Sequence, residues 1–115
     1  MGKVIIKRER DAGWAPIEGM PEVSRRFVFD GDDGVPEVFL VRRDKSFVGP
    51  VHSHSQDEVI YVLEGDVTVG EEHCPTGTVL FVEKDTMYGP LRSGPNGVTF
   101  LNIRQRKAGT KTAEG

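Results

Sequence analysis

His52-Ser53-His54-Ser55-Gln56-Asp57-Glu58 is the stretch of this 115-residue chain that decides both its fold and its chemistry. Two histidines at i and i+2 point to the same side of a β-strand, because side chains alternate across a strand. Their imidazoles can therefore close on one metal ion, and Glu58 can add an anionic oxygen to complete a set of two histidines and one carboxylate. Such a trio leaves coordination positions open for water, dioxygen or a substrate, which is typical of a working metal rather than a structural one.

Short apolar runs dominate the rest of the chain and predict an all-β fold. Most of them alternate with period 2 or are rich in β-branched residues, and Gly, Pro, Asp or Asn bound them. No dozen-residue stretch carries an apolar stripe at helical period, so a βαβ architecture is not expected. The predicted strands are Val4–Lys7, Arg26–Phe29, Val38–Arg43, Val59–Leu63, Asp66–Val69, Thr78–Val82, Met87–Tyr88 and Val98–Arg104.

The histidine motif resembles the first conserved motif of the cupin superfamily. That motif reads Gly, five residues, His-x-His, three or four residues, Glu, six residues, Gly, and the match is complete from His52 to Gly65. Ser46 stands where the opening Gly belongs, and Gly49 lies three residues later. The resemblance implies a small single-domain cupin, an antiparallel β-barrel of the double-stranded β-helix or jelly-roll type, which commonly pairs as a homodimer through an edge strand.

The second cupin motif is where the chain departs from the family. With the first Gly of that motif aligned on Gly77, Tyr88 takes the position of the usual histidine ligand and Arg92 that of the usual Asn. Tyr88 can be a fourth ligand through its phenolate, since a cation beside it favours the charged form. Alternatively, its hydroxyl faces the substrate and exchanges a proton with it, or the ring only packs. All three roles are open on the sequence.

Strand parity predicts an apolar wall beside the metal. Glu58 must face inward to reach the ion, so Ile60 and Val62 should share its face. On the last predicted strand, Phe100 and Asn102 share one face, and the amide of Asn102 offers a polar anchor for a substrate. A small, partly apolar ligand suits such a wall.

Three further polar side chains are candidates for substrate contacts. Arg42 and Arg92 could neutralise an anionic substrate, with a solvated position at the rim as the alternative. Gln56 lies between the predicted ligands and could bond a metal-bound water, or it could be a solvated loop amide. His73 and Cys74, by contrast, would point to opposite faces of a strand, so we expect a surface histidine and a small buried cysteine.

Length and composition indicate one domain with terminal extensions. Hydrophobic residues make up 37% and charged residues 29% of the chain, which suits one globular domain. We divide the chain into an N-terminal arm (1–22), the cupin β-barrel domain (23–104) and a flexible C-terminal tail (105–115). The apolar segment Val4–Ile6 lies outside the core runs and could add a strand to a second subunit, in keeping with a homodimer.

Charge and hydropathy argue against two classes of partner. The formal net charge is −3 with both signs interspersed, so no basic field gathers nucleic acid. No apolar stretch approaches the ~20 residues that cross a bilayer. The one cysteine, Cys74, excludes an internal disulfide and suits a reducing compartment. We therefore expect a cytoplasmic protein that binds a small molecule, with no nucleic-acid or membrane partner.

Two functions from different classes follow from these residues and from the cupin resemblance. The first is a dioxygenase-like enzyme acting on a small organic molecule, with His52, His54 and Glu58 holding Fe, Mn, Zn or Ni and Tyr88 as ligand or proton carrier. Isomerase or lyase chemistry is a variant of the same site. The second is a non-catalytic cupin that binds or senses a small ligand, which the degraded second motif favours somewhat. The sequence leaves open whether the protein is an enzyme.

Overall fold

The computed structural model of this protein describes residues 2–113, and antiparallel strands make up most of it. A 3-10 turn at Glu9–Asp11 precedes the strands. The strands are β1 (Ala15–Ile17), β2 (Met20–Asp30), β3 (Glu37–Arg43), β4 (Val48–Gly49), β5 (His52–His54), β6 (Glu58–Val69), β7 (Glu72–Pro75), β8 (Val79–Val82), β9 (Leu91–Arg104) and β10 (Thr110–Thr112). In this part of the chain, no helix is long and apolar enough to cross a membrane.

Two antiparallel sheets build the domain. The larger has the strand order β1-β2-β3-β9-β6-β7, with β4 paired to β9 and β8 paired to β6. The smaller consists of β5 and β10. Long strands β6 and β9 pair along most of their length and form the centre of the larger sheet. The all-β prediction is confirmed.

Strand β6 illustrates how the sequence pattern produces the fold. Glu58, Ile60 and Val62 are at most 2% exposed, whereas Val59 and Tyr61 are 37% and 40% exposed. The inward face predicted from strand parity is therefore confirmed, because successive side chains point to opposite faces of the sheet. Burying each of the two aliphatic side chains contributes about 1.5–3 kcal/mol.

Strand β6 runs through Gly65 without a break, although the sequence predicts two separate strands there. Gly65 has φ +71°, and a Cβ at this position would collide with the carbonyl oxygen of Gly97 on β9. The register with β9 shifts on both sides of Gly65, and such bulges bend a strand without ending it. The glycine that closes the histidine motif is thus required by the close approach of two long strands.

Strand β9 begins at Leu91, well before the predicted start at Val98. The segment Ser93–Gly97, which its Gly, Pro and Asn residues mark as a break, lies inside the strand. Ser93 pairs with Val67 on β6. The register with β6 then passes from Val67–Ser93 directly to Gly65–Val98, so residues 94–97 form an irregularity within the strand, where the local turn propensity is retained.

Both ends of the chain differ from the prediction. Within the described residues, Val4–Lys7 has no regular secondary structure, and Val4 is 86% exposed. Thr110–Thr112 lies in the expected flexible tail but forms β10 and pairs with β5. Local composition could not predict this pairing, since Thr110 meets a residue 56 positions earlier in the chain.

The hydrophobic core is formed by side chains on the inward-facing side of the larger sheet. Its buried hydrophobic residues are Val23, Phe39, Val41, Ile60, Val62, Val67, Cys74, Leu91, Val98 and Phe100. Four charged or amide side chains are buried beside them, namely Glu37, Glu58, Asn102 and Arg104. Buried polar groups need partners, so these four direct attention to the interior of the domain.

Candidate metal centre

Strand β5 brings the two motif histidines side by side. The ring centroids of His52 and His54 are 4.7 Å apart. The backbone of His52 forms an isolated bridge with Tyr88, which is what remains of the strand predicted at Met87–Tyr88. This bridge sets the Tyr88 ring 4.5 Å from the His52 ring. The structure thus brings together the motif histidines and the tyrosine of the degraded second motif.

The two imidazoles are oriented by bonds at their Nδ1 atoms. The Nδ1 of His52 lies 2.9 Å from the carbonyl oxygen of Pro50, and the Nδ1 of His54 lies 3.0 Å from the Oγ1 of Thr110 on β10. A carbonyl can only accept, so the Nδ1 of His52 carries the proton and its Nε2 presents a lone pair. Anchoring one imidazole nitrogen so that the other faces a common point is typical of metal-ligating histidines.

The carboxylate of Glu58 faces the same point and is held by three donors. Its Oε1 accepts a hydrogen bond from the Tyr88 hydroxyl at 3.0 Å and lies 3.9 Å from the Nε2 of His54. Its Oε2 accepts from the Nδ2 of Asn102 at 2.9 Å and from the Nε of Arg104 at 2.5 Å. A carboxylate can accept this many bonds, and they fix its orientation.

Arg104 connects Glu58 to a second buried carboxylate. Its Nη1 donates to the Oε1 of Glu37 at 2.8 Å. One guanidinium therefore serves two carboxylates, and this buried triad carries a formal charge of −1. Breaking such a buried pair leaves a charge without compensation, which is strongly unfavourable.

Burial keeps both histidines neutral in the described structure. It is the largest cause that lowers the pKa of His52, and the bond to Pro50 opposes it. Burial, followed by the charge of Arg104, lowers the pKa of His54 to about 4. Burial and the neighbouring Glu58 raise the pKa of Tyr88 above its ordinary value. At neutral pH the imidazoles are thus free to act as ligands, and the phenol keeps its proton.

The donor set suits a divalent cation. The Nε2 of His52 is 3.1 Å from the Tyr88 hydroxyl oxygen, yet that hydroxyl has one proton and donates it to Glu58. A lone pair of His52 consequently faces oxygen lone pairs, an arrangement that a cation would relieve. Within residues 2–113, however, no three His, Cys, Asp or Glu side chains already lie at the spacing of a metal site. The Tyr88 hydroxyl lies between the Nε2 of His52 and the Oε1 of Glu58.

His52, His54 and Tyr88 lie on the wall of a cavity of about 240 Å³. Liquid water occupies about 30 Å³ per molecule, so the volume corresponds to roughly eight waters. The wall is mainly apolar, with Phe39, Val41, Leu91 and Phe100 among its residues. The cavity suits a small organic molecule better than a large or highly polar one.

The predicted substrate residues fall into two groups. Phe100 and Asn102 line the cavity, as strand parity predicts. Arg42 and Arg92 are exposed, and the Arg42 guanidinium stacks 4.2 Å from the Trp14 ring. Gln56 is half-buried in the loop before β6. Neither arginine lies on the cavity wall, and neither does Gln56.

Sequence reasoning missed four charged residues of the cavity, Arg25, Glu37, Arg43 and Arg104, although the signal was present. Arg104 lies two residues after Asn102 and therefore shares its face of β9. Glu37 and Arg43 share the cavity face of β3 by the same rule. Arg43 and Arg104 are the last residues of predicted strands, and Arg25 and Glu37 directly precede predicted strands.

His73 and Cys74 lie away from this centre. His73 is exposed, and its Nε2 is 2.8 Å from the Oδ2 of Asp66. Cys74 is 4% exposed and packs in the core. The predictions of a surface histidine and a small buried cysteine are confirmed.

Comparison with known families identifies the fold. The sequence matches the ChrR cupin-like domain family over residues 3–108. The chain belongs to this cupin family. The cupin resemblance of the histidine motif is thereby confirmed. A search of the curated proteins finds no match.

Solved structures support the same fold at low sequence identity. An RmlC-like cupin protein from Ralstonia eutropha JMP134 is 14% identical with a TM-score of 0.82, and the alignment covers 97% of this chain and 74% of that protein. The polyketide cyclase RemF from Streptomyces resistomycificus is 21% identical with a TM-score of 0.76, and the alignment covers 98% of this chain and 86% of RemF. A salicylate 1,2-dioxygenase from Pseudaminobacter salicylatoxidans is 11% identical with a TM-score of 0.66, and the alignment covers 84% of this chain and 32% of the dioxygenase. Proteins of similar fold thus include some named for different reactions.

Proposed function

We propose that this protein is a metal-binding cupin that acts on a small organic molecule, with dioxygenase-like chemistry as the leading class. One observation carries the proposal. His52, His54 and Tyr88 line a cavity of small-molecule size, and the Oε1 of Glu58 lies behind them, 3.0 Å from the Tyr88 hydroxyl and 3.9 Å from the Nε2 of His54. A cyclase and a dioxygenase among the similar folds support small-molecule chemistry without choosing the reaction.

His52, His54 and Glu58 would hold the metal, which would polarise a substrate oxygen or activate dioxygen. The protein itself contributes orientation. Pro50 and Thr110 hold the imidazole rings in place. Preorganised ligands of this kind lose little conformational freedom when the ion binds.

Tyr88 is the residue best placed to move a proton. Its hydroxyl lies between the Nε2 of His52 and the Oε1 of Glu58, at 3.1 and 3.0 Å. A substrate in the cavity would meet this hydroxyl, because Tyr88 lines the wall. The raised pKa of Tyr88 makes its neutral hydroxyl a proton donor rather than a ready phenolate ligand.

Metal analysis of the protein purified without added metal tests the proposal. We expect about one divalent ion per chain, and a several-fold loss of bound metal in His52→Ala and in Glu58→Ala, since each removes one of three ligands. His73→Ala is the matched control because His73 is exposed and away from the cavity. Stoichiometric metal in both ligand variants would contradict the site.

An oxygen-consumption screen over small diketones, catechols and hydroxy acids tests the reaction class. A dioxygenase consumes oxygen with at least one of them, and Tyr88→Phe then retains the metal but turns over more slowly. Loss of metal in Tyr88→Phe would instead make the phenol a ligand.

The second candidate is a non-catalytic cupin that binds or senses a small ligand. It is favoured by Glu58, whose two oxygens already accept bonds from Tyr88, Asn102 and Arg104. It is also favoured by the absence from the second motif of the usual histidine, whose place Tyr88 takes. Saturable binding of a small molecule, without turnover in the presence of metal and oxygen, would select this candidate.

We also propose a homodimer. Apolar side chains are exposed on the outward face of β6 and β8, among them Tyr61 at 40%, Val79 at 62% and Phe81 at 66%. The apolar segment Val4–Ile6 is exposed on the same chain. Covering one with the other from a second copy would remove both surfaces from water.

A further inference from the structure

Arg43 is a charged residue of the cavity that the proposed metal chemistry does not use. Its Nε and Nη1 atoms are buried, and neither has a hydrogen-bond partner within residues 2–113. Arg104, the other buried arginine of the cavity, pairs with two carboxylates. The two arginines therefore differ sharply in how their charge is compensated.

Two aromatic rings flank the guanidinium of Arg43, and the nearby Tyr88 and Glu58 act on its charge without forming a hydrogen bond to its Nε or Nη1. Its guanidinium carbon lies 5.3 Å from the centre of the Phe100 ring and 5.8 Å from that of Phe47. Burial is the largest cause that lowers the pKa of Arg43. Aromatic faces attract a cation but do not accept its N–H groups as a carboxylate does, so the planar donor fork stays available.

The fold makes room for this side chain in the cavity. Arg43 shares the cavity-facing side of β3 with Phe39 and Val41. Gly49 on β4 lies directly against it, because a Cβ at Gly49 would stand 2.8 Å from the Nη1 of Arg43. A buried, unpaired charge is unfavourable, and a fold that accommodates one has an unused binding group at that point.

We propose that Arg43 binds the carboxylate of a small carboxylic acid whose apolar body fills the cavity. This inference deepens the proposed function, since it names the class of molecule that would occupy the same cavity. The planar fork of an arginine matches a carboxylate with two parallel N–H···O bonds. The apolar wall formed by Phe39, Val41 and Phe100 accommodates the body of such an acid.

Electrostatics orient the ligand. The triad of Glu37, Glu58 and Arg104 has one more negative than positive charge and would repel a carboxylate in the absence of metal. Arg43 places a positive charge on the cavity wall, and within residues 2–113 no hydrogen bond compensates its Nε or Nη1. We therefore expect the ligand to place its carboxylate on Arg43 and its apolar body against Phe39, Val41 and Phe100.

Titration with benzoate and benzamide tests the inference, because the two probes share a body and differ in charge. Isothermal titration is run on the full chain as purified and again after chelation, so that a carboxylate bound directly to metal is recognised. We expect benzoate to bind the chelated protein at least 10-fold more tightly than benzamide does. Equal binding of the two, or no saturable benzoate binding at millimolar concentration, would overturn the inference.

Arg43→Met is the decisive variant and Arg42→Met its matched control. Removing charge-assisted bonds should weaken benzoate binding 10-fold or more in Arg43→Met. Arg42 lies outside the cavity against Trp14, so Arg42→Met should bind as the wild type does. Benzoate affinity unchanged in a folded Arg43→Met protein would overturn the inference.

Arg43→Lys covers the case in which Arg43→Met does not fold. Lysine keeps the charge but not the planar donor fork, so we expect weaker benzoate binding than in the wild type. Unchanged affinity would count against a role of the fork.

Metal content separates this inference from the proposed function. A protein without metal that still prefers benzoate refutes the metal proposal alone, whereas a metal-loaded protein without that preference refutes the carboxylate inference alone.

Discussion

Replacing Arg104 by methionine removes the guanidinium that Glu37 and Glu58 share. Methionine has a similar length and no charge, so the two buried carboxylates would be left facing each other without a cation. Glu58 keeps the donors of Tyr88 and Asn102, but Glu37 loses its bond to Arg104. Removing one partner of a buried ion pair costs about 3–5 kcal/mol.

That cost is large against the total stability of a domain of this size, about 5–15 kcal/mol. For 115 residues the entropy of unfolding is about 0.24 kcal/mol/K, so the melting temperature should fall by roughly 12–20 °C. Thermal unfolding followed by circular dichroism measures it. Arg106→Met is the control, because Arg106 is exposed after the end of β9, and it should leave the melting temperature unchanged.

A double variant sharpens this prediction. Adding Glu37→Gln to Arg104→Met removes one of the two uncompensated charges, so part of the lost stability should return. If Arg104→Met melts at the temperature of the wild type, the buried carboxylates do not depend on Arg104 and the account of the triad is wrong.

Three further predictions concern the histidines and the N-terminal arm. The pKa of His54 is about 4 in the folded protein and about 6.5 in the unfolded chain, so between these pH values only the unfolded chain binds a proton at this residue. The metal-free protein should therefore keep its full stability above pH 6.5. Its free energy of unfolding should fall by about 1–3 kcal/mol as the pH is lowered to 4. Urea unfolding at several pH values measures this loss, and an equally steep profile in His54→Gln would contradict it. Thr110→Val removes the hydroxyl that orients His54 and should weaken metal binding about 10–100-fold, with Thr112→Val as the control. Competition with a chelator measures the affinity, and an unchanged value would show that β10 does not support the metal site. Deleting residues 1–7 should shift the protein toward monomer in sedimentation, and an unchanged oligomer, or a monomeric wild type, would count against the arm as dimer contact.

Much of the centre of the fold could be predicted from local pattern. The alternation of Glu58, Ile60 and Val62 with exposed neighbours follows from a two-residue period that any strand obeys. The same period put Phe100 and Asn102 on the cavity wall. Local pattern did not predict that β9 continues through Ser93–Gly97, where the strand tolerates an irregularity because β6 pairs with it on both sides, at Ser93 and at Val98.

By itself the sequence determined which residue types face inward and that two imidazoles and one carboxylate share a short segment. Only the tertiary structure decided what stands opposite them. Arg104 meets Glu58 across 46 residues of chain and Glu37 across 67, and Thr110 meets His54 across 56. It also decided that Arg43, rather than its neighbour Arg42, lies on the cavity wall with its Nε and Nη1 unbonded by any residue from 2 to 113. The physical reason is that side-chain direction is a local property of a strand, whereas the partner of a buried charge depends on which distant strands pair and in which register.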